Sequence, residues 1–357
     1  MTTPTPSPAP TYTVRSPEDL LALVPVVLGF EPEESVTLLG FPDTRGVRQG
    51  RCFHGRVDLP DGPDTATPDA HEVHRLVEAI TEPVVRHAVP RVVLVVHSTR
   101  PALAGVVVDA LLAALAERAP GAVVPGVVLA DGRRWWTLPG GGPPRAGCAY
   151  DVAHHPLRLQ AVVDGRVTHP SRAALAATLD PEPSAVARVA EAARSRPWLV
   201  PAAGPGRPGD PGEPGEPDGA ATAAERDAAF VGEAVRGAMR PPTERPVLDD
   251  DAAARLLLAV REPALREVAC LLLTRATAEA HTTLWRDLVR RAPDHLRGPA
   301  ATLLALSAWV AGDGALAWCA LDRCGAGGPA ATLADLVASM LERAVPPEVW
   351  ERCVQAA

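Results

Sequence analysis

The chain has 357 residues, 47% hydrophobic and 22% charged, which is apolar enough for ordinary globular cores and long enough for two of them. A formal charge of −8 argues against a protein that holds nucleic acid by neutralising phosphates. No lysine occurs anywhere, which excludes Schiff-base chemistry, a phosphate loop ending in Lys-Ser or Lys-Thr, and the protein-kinase constellation.

Residues 1–14 are rich in Thr, Pro and Ser and are expected to form a disordered tail. They lack the pattern of a signal peptide, and no run approaches the roughly 18 apolar residues of a membrane span, so a cytoplasmic location without membrane contact is expected. Ser16 is a good N-cap, Pro17 suits the first helical position, and Glu18 with Asp19 puts negative charge at the positive end of a helix. Leu20, Leu21, Val24 and Leu28 recur at helical spacing, Pro25 kinks or shortens the helix, and Gly29 is placed for a left-handed cap. Val36 to Phe41 reads as a buried strand, Asp43 to Gly50 as a turn, and Cys52 to Leu59 as a second strand antiparallel to the first.

Asp61 to Ala70 is a loop and Glu72 to His87 a helix with Pro83 late in it. Arg91 to His97 follows as a dense valine-rich strand, which makes a strand, helix, strand crossover. Leu103 to Arg118 is a further helix. Val123 to Leu129 is a strand whose Pro125 and Gly126 suit an edge or a bulge, and Asp131-Gly132 turns it into Arg133 to Leu138 as a hairpin. Pro139 to Pro144 is a Gly/Pro loop, Ser171 a plausible N-cap, and Ser184 to Arg196 a helix.

Gly204 to Gly219 contains Gly-X-Pro triplets and reads as a semi-extended linker, since a collagen helix needs a long register and partner chains. From Ala221 onward the periodicity is helical only, over 221–240, 252–260, 263–279, 281–292, 297–311, 314–324, 330–343 and 347–355. Near its end Leu304-Ala305, Gly312-Asp313, Ala317, Leu321, Cys324 and Pro329 are spaced as in one tetratricopeptide-type hairpin, but with a single copy, where stable arrays need about three, an unspecialised helical hairpin is the better reading. The expected organisation is a tail over 1–14, a mixed-sheet α/β domain over 15–200, a linker over 201–222 and an all-α domain of repeat-like helical hairpins over 223–357.

Four ordered blocks carry a resemblance: Ser16 to Phe41, Arg56-Val57-Asp58-Leu59-Pro60, Gly165 to Arg172, and Gly312 to Ala317. Together they resemble the actinobacterial family known as domain of unknown function 4192. That family has no assigned chemistry, so the resemblance implies no activity and no cofactor. In that family the Arg-Trp block continues into a cysteine-rich stretch, whereas here only Cys148 remains.

His97, Ser98 and Arg100 stand at the carboxyl end of a buried strand just before a helix, where open α/β sheets bind ligands and free N–H groups attract anions. Ser98 or Thr99 acting as an ordinary helix cap explains the same residues. Arg56 and Asp58 share one face of a strand and are able to pair with each other or with a ligand. Arg134 beside Trp135 suits stacking on a ring or clasping an anion, and Trp135 and Trp136 should point oppositely. His71 with His74, and His154 with His155, lack a third ligand in sequence. The six cysteines show no C-x-x-C spacing, so reduced buried thiols and no metal are expected.

Asp313 and Ala317 are the candidates for contact with a protein partner through the helical domain. The sequence therefore points to an interaction or regulatory protein. The alternative is a small-molecule or hydrolytic α/β enzyme holding an anionic ligand near Asp58, His97 and Arg100.

Overall fold

A computed structural model describes residues 12–41, 53–138, 147–195, 218–241, 243–325 and 330–356. The tail up to residue 11, the turn expected over 43–50, the Gly/Pro loop over 139–144 and the linker up to residue 217 lie outside them. Contacts divide the chain into two compact units, Met1–Leu175 with Glu342–Ala344, and Ala176–Leu341 with Val345–Ala357.

The first unit contains α1 (Pro17–Leu28), β1 (Ser35–Phe41), β2 (Phe53–Asp58), α2 (Ala70–Arg86), β3 (Arg91–His97) and α3 (Pro101–Arg118). It continues with β4 (Val127–Ala130), β5 (Arg134–Thr137), β6 (Cys148–Ala149), α4 (Pro156–Val163) and most of α5 (Arg172–Ala177). Helix α1 starts as its residue types dictate, because the Ser16 hydroxyl accepts Asp19 N–H while the Asp19 carboxylate accepts Ser16 N–H in a capping box. Gly29, at φ 76°, ends it in the left-handed conformation that costs glycine least. The helix runs through Pro25 rather than stopping there.

The sheet order is β2-β1-β3-β4-β5-β6. Strand β1 is antiparallel to both β2 and β3, β3 runs parallel to β4, and β4 to β6 meander antiparallel. Helix α2 therefore connects two strands that flank β1. Alternation along the strands puts Val36, Leu38, Leu94, Val96, Val127 and Leu129 into one core with α2 and α3. Leu39, Val95 and Val128 lie on the other face and are also buried. Helix α1 crosses that second face, where Trp135 Nε1 donates to Glu18 at 3.0 Å. Trp136 packs into the first core, so the two tryptophans do point oppositely. Gly147 makes this possible: a Cβ there would lie 2.5 Å from the Trp136 ring, and its φ of +54° already disfavours a side chain.

The described residues of the second unit form helices joined by turns and loops, with no strand among them: α6 (Pro183–Ser195), α7 (Asp218–Ala238), α8 (Asp250–Ala259), α9 (Pro263–Leu271), α10 (Ala278–Arg291), α11 (Asp294–Ala311), α12 (Gly314–Leu321), α13 (Ala331–Glu342) and α14 (Glu348–Ala356). Helix α6 belongs here although it precedes the linker, since Ala185, Val189 and Ala192 are buried and the helix packs on α8 and α10. The single helix expected over 263–279 is cut at Leu271. There the Thr277 hydroxyl donates to Leu272 O and accepts Thr274 N–H, a side-chain turn that competes with helical bonding. Cys319 is buried as expected of a structural thiol, whereas Cys148 and Cys353 are exposed.

Candidate functional site

Two of the residues expected to hold an anion at the end of β3, Ser98 and Arg100, are already bonded to a carboxylate of the chain itself. Glu34, just ahead of β1, accepts Thr99 N–H at 2.8 Å, the Ser98 hydroxyl at 2.7 Å, the Thr99 hydroxyl at 2.7 Å and Arg100 Nε at 2.9 Å. The other end of the Arg100 guanidinium donates from Nη1 to the carbonyls of Pro60 and Gly62. Burial alone would raise the Glu34 carboxyl, but the four donors outweigh it and bring the pKa down to about 2. The first turn of α3 is likewise satisfied, because Asp64 Oδ1 accepts Ala102 N–H at 2.8 Å and Leu103 N–H at 3.0 Å. Ser98 does not cap that turn; its hydroxyl accepts Arg100 N–H. Ser98, Thr99 and Arg100 thus form with Glu34 an internal lock joining the start of β1, the loop after β2 and the start of α3.

Beside this lock, the sheet register gathers a second group. Ser35 stands opposite both Asp58 and His97, and Thr37 stands opposite Arg56, so all five side chains share the α1 face. Arg56 Nη2 donates to Asp58 Oδ1 at 2.5 Å and to Glu33 O at 3.1 Å, and its guanidinium lies 5.3 Å from the centroid of the buried Phe30 ring. Burial, assisted by the Arg56 charge, pushes His97 down to about 4, so the imidazole is neutral near pH 7. Phe30 is itself fastened by a bridge to His169. Gly29–Glu31 and the Gly165–Arg172 segment, two of the blocks that carry the family resemblance, therefore meet against this group.

Arg134 contributes a long bond from Nη1 to Gly147 O at 3.4 Å. Trp135 is committed to Glu18. His155 Nε2 faces Asp19 at 3.2 Å and caps α4 with its other nitrogen, whereas His74 pairs with Glu78 on the surface at 3.6 Å.

On the opposite side of the sheet, α2 and α3 bound a groove of about 630 Å³. Its walls include Val73, Val77, Val106, Ala110, Ala113 and Ala114, with His74 and Glu117 at the rim. In the helical unit, Asp313 caps α12 by accepting Leu316 N–H at 2.9 Å. Ala317 is fully buried. It thus sits inside the helix packing and offers no surface to a partner, since a small residue is what lets two helix backbones approach.

The molecule is thus a mixed-sheet α/β unit with an internal carboxylate–arginine lock, joined in one chain to a helical unit. It belongs to the family described as Domain of unknown function (DUF4192), whose model matches residues 17–348. No curated protein and no solved structure matches the chain. Among the described residues no helix is long and apolar enough to cross a membrane.

Proposed function

We propose that the chain is a cytoplasmic interaction or regulatory protein whose α/β unit receives a partner in the groove between α2 and α3. The observation that carries this reading is α3 itself. Its sequence, PALAGVVVDALLAALAER, is apolar on nearly every side, and helices of that kind are ordinarily covered all round. Here Val106, Ala110, Ala113 and Ala114 instead line an open groove. The alanines leave room for larger side chains to enter from outside, as in helix-in-groove recognition.

Glu117 lines the groove, exposed Glu78 is paired to groove-lining His74, and exposed Asp109 adjoins Ala110. With a chain charge of −8, that chemistry selects an amphipathic helix whose apolar stripe is flanked by Arg or Lys. The second unit is read as a scaffold of tetratricopeptide-like hairpins, a reading supported by the α11–α12 pair with its left-handed Gly312 turn and buried Ala317.

The test is fluorescence binding of a designed helical Leu/Lys peptide to the full chain, with a Leu/Glu peptide as control. Saturable, salt-sensitive binding of the first peptide alone, lost in Ala110→Trp while melting is retained, supports the reading. Equal binding of both peptides, or binding that survives Ala110→Trp, overturns it.

A further inference from the structure

Four hydrogen-bonding atoms on the α1 face of the sheet have no partner among the described residues: Ser35 Oγ, Thr37 Oγ1, Arg56 Nε and His97 Nδ1. They are neighbours, because Ser35 pairs with His97 across β1 and β3, and Thr37 with Arg56 across β1 and β2. Ser35 and Thr37 are wholly buried. Native interiors rarely leave a buried polar group unpaired, and four adjoining ones on three adjacent strands call for an occupant.

The donors identify its chemistry. Two hydroxyls and a guanidinium N–H stand on neighbouring positions of that face, and the neutral imidazole is free to carry its single proton on Nδ1. Asp58 and the Glu33 carbonyl take Arg56 Nη2, which leaves Nε as the orphaned edge of a guanidinium held against Phe30. No carboxylate hydrogen-bonds to any of the four orphaned atoms. A ligand that only accepts hydrogen bonds and carries one negative charge satisfies all of them. It must be small, since α1 and Phe30 cover this face. The row formed by Asp58, Ser35 and His97 lies at the carboxyl ends of β2 and β3, the end at which open α/β sheets take ligands, and Asp58 there is 73% exposed.

We propose that Ser35, Thr37, Arg56 and His97 form a binding site for a small monovalent anion, either a halide or the carboxylate head of a small acid. The site is separate from the Glu34 lock, whose donors are already used, and it does not depend on the α2–α3 groove on the other face.

The experiment follows the melting temperature of the full chain at constant ionic strength in a sulfate background, titrating bromide in one arm and formate or acetate in the other. A saturable rise with one of these arms, absent with added sulfate and lost in the Ser35→Ala/Thr37→Val double variant, supports the site. The responding arm tells a halide from a carboxylate. A shift that persists in the double variant, or no shift with any of these anions, overturns the proposal. If the double variant does not fold, Thr37→Val alone must weaken the apparent affinity at least about tenfold, the loss of one good hydrogen bond to an anion. Unchanged affinity in that variant also overturns it. Leu/Lys peptide binding should be indifferent to these substitutions, so failure of one reading leaves the other standing.

Discussion

Arg100 holds Glu34 through a single Nε–Oε2 bond of 2.9 Å and uses its Nη1 amino group to tie down the carbonyls of Pro60 and Gly62. One guanidinium thereby fixes three segments that are distant in sequence. Glu34 pays a backbone cost for its place in this arrangement, with φ at +38°, in the left-handed region that non-glycine residues seldom adopt.

Glu34→Gln should lower stability near pH 7 by about 1–3 kcal/mol, the range for hydrogen bonds to a charged group, discounted because the carboxylate is a third exposed. The sign with pH is fixed by the depressed pKa. The contribution is complete above the ordinary value of 4.5 and is lost as pH falls toward about 2. Chemical denaturation between pH 2 and 7 should show a shallower acid limb in Glu34→Gln; identical limbs would show that the lock does not titrate with folding.

Asp64→Ala removes the acceptor for the first free N–H groups of α3. A loss of about 0.5–2 kcal/mol is expected, as for other N-cap deletions. Asp64→Asn should recover most of it, and equal losses in the two variants would mean that the loop, rather than the cap, is at stake.

His97 and His281 are both pushed down to about 4, chiefly by burial. Depressed histidines bind protons more readily in the unfolded chain, so stability should fall as pH drops from the ordinary 6.5 toward 4. Each of His97→Gln and His281→Gln should flatten the melting profile over that window. A wild-type melting temperature that holds constant from pH 7 to 5 would contradict the burial of both rings.

Ala317 is fully buried where α12 packs against α11. Replacement by Trp should overpack the pair and destabilise by about 1–3 kcal/mol. Unchanged melting would place Ala317 away from that contact.

Helix α6 precedes the linker yet packs on α8 and α10, with Glu182 N–H donating to Arg290 O at 2.9 Å and Arg188 bonded to Asp250 at 2.7 Å. A protease site engineered into residues 206–217 should therefore yield two fragments that remain together on size exclusion. Separation into independent peaks would show that α6 belongs with the preceding residues.

Local chemistry made much of this fold legible in the sequence. The cap at Ser16, the stop at Gly29, the valine run of β3, the Asp131-Gly132 hairpin and the split of Trp135 from Trp136 each follow from a few adjacent residues. What escaped depends on residues that meet only after folding. Asp64 and Glu34 carry no local sign that they satisfy the start of α3, so the free N–H groups there read as vacant. Ser35 and Thr37 look like ordinary strand residues until the register sets them beside His97 and Arg56. The pairing of Arg56 with Asp58 was visible because alternation alone puts them on one face.

Strand β1 lies between two strands that both follow it in the chain. During synthesis it emerges before either neighbour exists, and β3 arrives only after α2 has been made. Until then the apolar run from Val36 to Phe41 can pair with β2 alone and its other edge stays open, and closing its contacts with β3 requires a loop that encloses β2 and α2. The nascent first unit is for that interval a chain with an open central strand, the kind of intermediate that chaperones bind and that aggregates when crowded.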